Sequence, residues 1–160
     1  MIRSATPDDA AAIADIYNHY VLHSIITFEE ETVTAGEMRS RMDDIQSRFP
    51  LLVHDAGSGV DGYVYATPWK TRSAYRYAVE TTVYVHKDRF RRGIGARLYA
   101  PLIATLRERG YHAAMAGIAL PNDGSVGIHE SVGFEKVAHF SEVGRKFDRW
   151  IDVGYWQLML

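Results

Sequence analysis

The segment Arg91–Ala96 combines two arginines with two glycines and lies between a strand-like run and a predicted helix. Glycines let the backbone approach an anion, and the free N–H groups at a helix start carry the positive end of the helix dipole. The segment is not a nucleoside-triphosphate P-loop, because Ala96-Arg97 stands where Lys-Ser/Thr is required. It is not a dinucleotide fingerprint either, because Leu98 replaces the third glycine. The pattern indicates a site for a small polyanion; the alternative is an ordinary turn whose glycines only shape the backbone.

Two titratable side chains could move protons. Glu80 lies in the run Tyr77–Val85, where tyrosines and valines would partly desolvate the carboxylate and raise its pKa towards that of a general base. His129 lies in a short predicted helix, and an imidazole can donate or accept a proton near neutral pH. The alternatives are a carboxylate paired with Arg76 or Lys70, and a histidine that packs on a helix face with one nitrogen hydrogen-bonded.

The rest of the sequence predicts the elements that would position these groups. Predicted helices begin at Thr6-Pro7-Asp8-Asp9 and at the capping box Thr34-x-x-Glu37, run through Leu98, Leu102 and Leu106 with Pro101 inside, and span Ser125–Val132. Predicted strands are Leu51–Val53, Gly62–Ala66, Tyr77–Val85, Tyr111–Leu120, Phe134–Val143 and Val153–Leu160. This order indicates an α/β (α+β) fold, with its clearest strand-turn-helix unit at residues 77–109.

Composition narrows the function classes. With 160 residues, the chain has the size of one domain, so we expect a single domain over residues 1–160. The absence of cysteine excludes disulfides, thiolate metal sites and a cysteine nucleophile. The net charge of −2 argues against nucleic acid as a partner. No apolar run is long enough for a membrane span, and the acidic start does not match a signal peptide, so we expect a cytoplasmic enzyme. His19 and His23 have helical ligand spacing but no identifiable third ligand, so no metal site is expected.

Two blocks carry a family resemblance. Val83-Tyr84-Val85, Arg91-Arg92-Gly93-Ile94-Gly95 and Leu98-Tyr99 together resemble the acetyl-CoA motif of the GNAT acetyltransferases. Asn122-x-x-Ser125-x-x-x-His129-x-x-x-Gly133-Phe134 is similar to the downstream block of that family, which usually has tyrosine where His129 stands. The resemblance covers essentially the whole chain. It is closest to the phosphinothricin and methionine-sulfoximine acetyltransferase branch, through motifs such as Pro68-Trp69-Lys70 and Leu120-Pro121-Asn122-Asp123. One departure is Phe90, where the family usually has glutamine or arginine.

The resemblance implies a fold and a donor site. The fold would be a twisted mixed β-sheet flanked by helices on both faces, with acetyl-CoA wedged where two central strands diverge after Val83–Val85. The implied cofactor-binding residues are Val83, Tyr84, Val85, Arg91, Arg92, Gly93, Ile94, Gly95, Ala96 and Asn122. Asn122 would contact the pantetheine arm, although Pro121-Asn122-Asp123-Gly124 would also form an ordinary turn.

The resemblance also implies the reaction. Glu80 and His129 would be catalytic in a direct transfer within a ternary complex, and Phe28, Arg72 and Tyr75 could line the pocket for a small acidic amino-acid analogue. The acceptor could instead be an ordinary amino acid, a polyamine or a protein N-terminus, or the chain could be a non-catalytic acyl-CoA sensor. Homodimers are common in this branch. The segment Lys146–Trp150 could be a loop near the acceptor or a dimer contact.

Overall fold

A computed structural model describes all 160 residues. The four helices are α1 (Ala10–His23), α2 (Ala35–Gln46), α3 (Ile94–Glu108) and α4 (Asp123–Ser131), with short 3-10 turns at Pro7–Asp9, Ser73–Tyr75 and Lys87–Arg89. The seven strands are β1 (Ile2–Ser4), β2 (Leu51–Asp55), β3 (Val60–Pro68), β4 (Ala78–Val85), β5 (Ala113–Leu120), β6 (Glu135–Lys146) and β7 (Arg149–Met159). The predicted order of elements is confirmed; only the three-residue β1 was missed. None of the helices combines the length and the apolar character that crossing a bilayer requires.

All seven strands form one sheet in the order β1-β2-β3-β4-β5-β7-β6. Every neighbouring pair is antiparallel except β4 and β5, which are parallel and pair only from Ala78 to Glu80 on the β4 side. Beyond Glu80, β4 stays paired with β3 up to Val85, and β5 stays paired with β7 up to Leu120. Beyond this point β4 stays with β3 and β5 stays with β7, so a cleft opens between β4 and β5. The divergence begins at Thr81, earlier than the predicted position after Val83–Val85.

Helices pack on both faces of the sheet, as predicted. One core cluster gathers the buried face of α3, including Leu98, Leu102 and Leu106, against the central strands. The other places α1 and α2 on the opposite face, with tyrosines of α1, β3 and β4 at its centre. Because alternate residues of a strand face opposite sides, Glu80 and Thr82 share the face of Tyr84, which belongs to the second cluster.

The start of α1 is connected to the sheet by a partly buried ion pair. Asp9 accepts two hydrogen bonds from the guanidinium of Arg3 in β1, at 2.8 and 2.9 Å, and one from the N–H of Thr6 at 2.7 Å. Arg3 also donates to Asp55 of β2 at 2.9 Å. These bonds lower the pKa of Asp9 to about 2, with the Arg3 hydrogen bond as the largest cause.

Candidate active site

The cleft between β4 and β5 contains two adjoining cavities. The first, called here the turn cavity, has a volume of about 540 Å³ and is bordered by the glycine-rich turn. The second, called the sheet cavity, has a volume of about 660 Å³ and extends over β4, β5, β6 and β7. They share the lining residues Ile26, Val83, Tyr84, Asn122 and Ser125. A long ligand could therefore lie in one cavity and present its end to the other.

All ten predicted cofactor-binding residues line the turn cavity. Gly93 is the N-cap of α3 and has φ +70°, a left-handed conformation that glycine adopts without strain. The segment Thr81–Val85 pairs only with β3, so its backbone groups that point towards β5 have no strand partner. A helix N-terminus, two neighbouring arginines and a free strand edge fit a cofactor with a pyrophosphate and an amide-bearing arm.

Gly95 has a packing role in addition to its place in the turn. A Cβ at this position would lie 2.8 Å from Cδ1 of Ile128 in α4, well inside van der Waals contact. The second glycine of the turn therefore allows α3 and α4 to approach each other. This reason for glycine cannot be read from the turn alone, because Ile128 is brought in by the fold.

Asn122 serves as the N-cap of α4 and also faces both cavities. Its Oδ1 accepts a hydrogen bond from the N–H of Ser125 at 3.1 Å, whereas its Nδ2 donates to no protein atom. Asn122 can therefore stabilise the local turn through Oδ1 and contact a ligand through Nδ2, so the two roles considered from the sequence are compatible.

Glu80 is half-buried in the sheet cavity and forms no hydrogen bond or ion pair. Desolvation raises the pKa of its carboxyl group, and the positive charge of Lys70 opposes the shift. The alternative pairing with Arg76 or Lys70 is therefore wrong for this structure; the Arg76 guanidinium donates to the carbonyl of Ser73 instead. A partly desolvated, unpaired carboxylate that faces a cavity has the setting of a general base.

His129 is buried, and both of its ring nitrogens have partners within the protein. Nδ1 lies 2.7 Å from the carbonyl oxygen of Ser125, and Nε2 lies 2.7 Å from the hydroxyl of Tyr99. Because a carbonyl only accepts, Nδ1 carries the proton, and Nε2 accepts from Tyr99, whose oxygen lies 3.0 Å from Oγ1 of Thr81. Burial lowers the pKa of His129, which favours this neutral ring. The geometry supports a packed histidine with both nitrogens occupied.

The three predicted acceptor residues separate in the structure. Phe28 lines the sheet cavity, but Arg72 and Tyr75 line neither cavity and lie exposed around the 3-10 turn that follows β3. Trp69 and Lys70, just before them, do line it. The Trp69 ring packs edge-on against Tyr155 at 5.3 Å, which keeps Lys70 at the cavity, while the chain beyond turns out into solvent. The two cavities of the single chain therefore support Phe28 as an acceptor contact but give no support to Arg72 or Tyr75.

The far wall of the sheet cavity was missed in the sequence. It consists of apolar and aromatic side chains of β6 and β7: Val137, Phe140, Val143, Val153 and Tyr155. Alternating apolar residues in both strands were the available signal, but alternation does not reveal which face borders a cavity. The segment Lys146–Trp150 is the end of the β6–β7 hairpin rather than a loop, since only Phe147 and Asp148 lie outside the strands. No group of three or more potential metal ligands is present.

Comparison with known proteins matches this architecture to one family. The model of the acetyltransferase (GNAT) domain matches residues 2–154. A phosphinothricin N-acetyltransferase of Streptomyces viridochromogenes is 41% identical over 98% of this chain and 85% of that enzyme. An L-methionine sulfoximine/L-methionine sulfone acetyltransferase of Salmonella typhimurium is 38% identical over 99% of this chain and 94% of that enzyme. A solved structure from Salmonella typhimurium, described as an acetyltransferase with its cofactor acetyl-CoA, has a TM-score of 0.96 at 37% identity and covers 100% of this chain and 93% of its own.

Proposed function

The chain belongs to the GNAT family of acetyl-CoA-dependent N-acetyltransferases, and we propose that it acetylates the amino group of a small amino-acid-like acceptor of the phosphinothricin or methionine sulfoximine type. The observation that carries this proposal is the similarity over nearly all of this chain, at 41% and 38% identity, to two enzymes named for those acceptors. The sheet cavity supports it, because Lys70 offers a cation for the acidic group of the acceptor and Glu80 a base for its amine.

Bound acetyl-CoA would supply its acetyl group as a thioester: the amine nitrogen would bond to the carbonyl carbon, the C–S bond would break, and CoA would leave as a thiolate that takes up a proton from solvent. Val83, Tyr84, Val85 and Asn122 would hold the arm of the cofactor, and residues 91–96 would hold its pyrophosphate. A free backbone N–H on the open edge of β4 would polarise the carbonyl. Glu80 would take the proton that the amine loses, directly or through a water molecule. In this scheme His129 fixes the packing of α4 on α3 and exchanges no proton with substrate, because Tyr99 and Ser125 occupy its nitrogens.

A homodimer is part of the proposal. The edge strand β6 and the adjoining hairpin expose a row of apolar side chains: Val137, Phe140, Val143, Phe147 and Trp150. Three of them, Val137, Phe140 and Val143, also line the sheet cavity, so this wall is open to solvent in the single chain. An exposed apolar edge strand commonly pairs with another chain, and a two-fold dimer is the most frequent solution. The cytoplasmic location expected from the sequence stays a prediction.

The test is a panel of amines assayed by release of free thiol from acetyl-CoA. Phosphinothricin and methionine sulfoximine should be acetylated with kcat/KM values well above those for ordinary amino acids, polyamines and an N-terminal peptide. If the protein prefers one of those other amines, the proposed acceptor is wrong, but the assignment as an N-acetyltransferase stands. Tight binding of acetyl-CoA without turnover of any amine would contradict the enzymatic role and favour a sensor.

A further inference from the structure

Lys146 is a buried lysine without an acidic partner, and it lies next to the wall of the sheet cavity that contains Thr27. Lys146, the last residue of β6, is 1% exposed and forms no ion pair. Its ammonium group donates to the backbone carbonyl of Thr27 at 2.8 Å and lies 3.5 Å from that of Tyr20. Burying a cation is costly unless it is well hydrogen-bonded, so these backbone contacts stabilise the position of the hairpin end.

The two carbonyls lie on the opposite side of the cleft from β6. Tyr20 is in the last turn of α1, which packs on β3 and β4, whereas β6 belongs to the half of the sheet beyond β5. The carbonyl groups in the last turn of a helix carry the negative end of its dipole, which attracts a cation. The side chain of Lys146 therefore connects the two halves of the molecule at the point where the sheet itself is split.

The bond to Thr27 acts on a wall of the sheet cavity. Ile26, Thr27 and Phe28 line this cavity and belong to residues 24–34, which connect α1 with α2. Gly144, on the same side of β6 as Lys146, contacts Phe28 so closely that a Cβ would lie 2.3 Å from its ring. Lys146 thus holds the backbone next to Phe28, and Gly144 makes room for the ring.

We infer that Lys146 is a positioning residue that fixes the Thr27–Phe28 wall of the acceptor cavity across the cleft, and that Gly144 accommodates the same wall. This inference rests on the proposed function for the identity of the acceptor site. It predicts that loss of the Lys146 ammonium weakens acceptor binding much more than acetyl-CoA binding, because Thr27 and Phe28 line only the sheet cavity, whereas the glycine-rich turn lies beyond Val83 and Tyr84.

The kinetic test compares Lys146→Met with Lys136→Met. Both variants replace a lysine of β6, but Lys136 is exposed and lines neither cavity. Lys146→Met should raise the acceptor KM by about tenfold, with the acetyl-CoA KM changed by less than about twofold. Lys136→Met should change neither constant. An unchanged acceptor KM in Lys146→Met, or an equal rise of both KM values, would overturn the inference.

Gly144→Ala covers the case in which Lys146→Met does not fold, because it keeps the buried ammonium and displaces only the Phe28 ring. It should raise the acceptor KM selectively, and an unchanged acceptor KM there would count against the inference.

Hydrogen exchange separates this inference from the proposed function, since it needs no acceptor. Backbone amides of residues 25–29 should exchange faster in Lys146→Met than in the wild type or Lys136→Met, while those of residues 93–98 should not change. Equal exchange of residues 25–29 in all three proteins would refute the positioning role of Lys146. A wild type that acetylates no amine would refute only the proposed function.

Discussion

Glu80 is the only carboxyl group that lines the sheet cavity. If it is the general base, Glu80→Gln should lower kcat by about 10²–10⁴-fold, because the amide has a similar shape but cannot take the proton. Acetyl-CoA binding, measured by calorimetry, should not change, since Glu80 does not line the turn cavity. Retention of the wild-type kcat in a folded, cofactor-binding Glu80→Gln protein would refute the assignment.

The pH profile provides an independent check on Glu80. Desolvation raises its pKa above the ordinary value, and a base works only when deprotonated. The kcat of the wild type should therefore fall as the pH drops through this raised pKa. The residual kcat of Glu80→Gln should lack that acidic limb; persistence of the limb would assign it to another group.

Single residues differ in how much the sequence reveals about them. Glu80 could be placed from the sequence because strand alternation fixes its face once β4 is recognised. The surroundings of His129 could not, because Tyr99 and Thr81 come from α3 and β4, far from α4 in the chain. Arg72 was assigned to the pocket by resemblance, but the direction of a loop depends on contacts such as that of Trp69 with Tyr155.

At the scale of elements, the packing of α3 on α4 depends on Gly95. Gly95→Ala should destabilise the protein by about 1 kcal/mol, because its Cβ would overlap Cδ1 of Ile128 and displace that side chain from its packing against α3. Denaturant unfolding without cofactor measures this change in the free energy of unfolding.

Two further variants identify the cause. Adding Ile128→Ala to Gly95→Ala removes the overlapping side chain, so the double variant should lose less stability than the sum of the two single variants. Gly127→Ala is the matched control in α4, since its Cβ would meet no atom within 4 Å. Additive losses in the double variant would contradict the proposed overlap.

The junction of β1, β2 and α1 should make stability depend on pH. The folded pKa of Asp9, about 2, lies below its ordinary value of 3.8, so its stabilisation is present above about pH 4 and is lost as the pH falls towards 2. Asp9→Asn should remove about 2 kcal/mol at pH 7 and flatten the loss of stability below pH 4. Thermal unfolding between pH 2 and 7 measures both effects; an equal acid sensitivity of wild type and Asp9→Asn would contradict them.

Most elements follow from local chemistry, and the exceptions have a common cause. The Thr34–Glu37 capping box predicts the start of α2 because both reciprocal bonds lie within four residues. β1 has only three residues and exists through its pairing with β2. The early divergence of β4 and β5 likewise depends on competition between partners in the sheet, which no single segment encodes.

At the scale of the whole molecule, donor and acceptor sites differ in how they are built. The predicted donor site comes mainly from one continuous unit, β4-turn-α3, and all ten residues assigned to it from short motifs line one cavity. The sheet cavity, the proposed acceptor site, collects side chains from the α1–α2 connection, the β3–β4 connection, β4, β5, α4, β6 and β7. Its shape is set only when the two halves of the sheet come together, and for this reason its residues were the hardest to predict.

The open wall of the acceptor cavity leads to a prediction about assembly. If a second copy covers β6, the wild type should sediment as a dimer, and Trp150→Glu should shift it towards monomer by placing a charge in the apolar contact. Trp150 lines neither of the two site cavities, so this variant leaves the single-chain site intact. Leu22→Glu is the control, because Leu22 is similarly exposed but lies on α1, on the other side of the cleft.

The monomeric variant should show a raised acceptor KM and an unchanged acetyl-CoA KM, since only the sheet cavity uses the β6 wall. A monomeric wild type would contradict the dimer, and an unchanged acceptor KM in a monomeric Trp150→Glu would show that the cavity is complete within one chain.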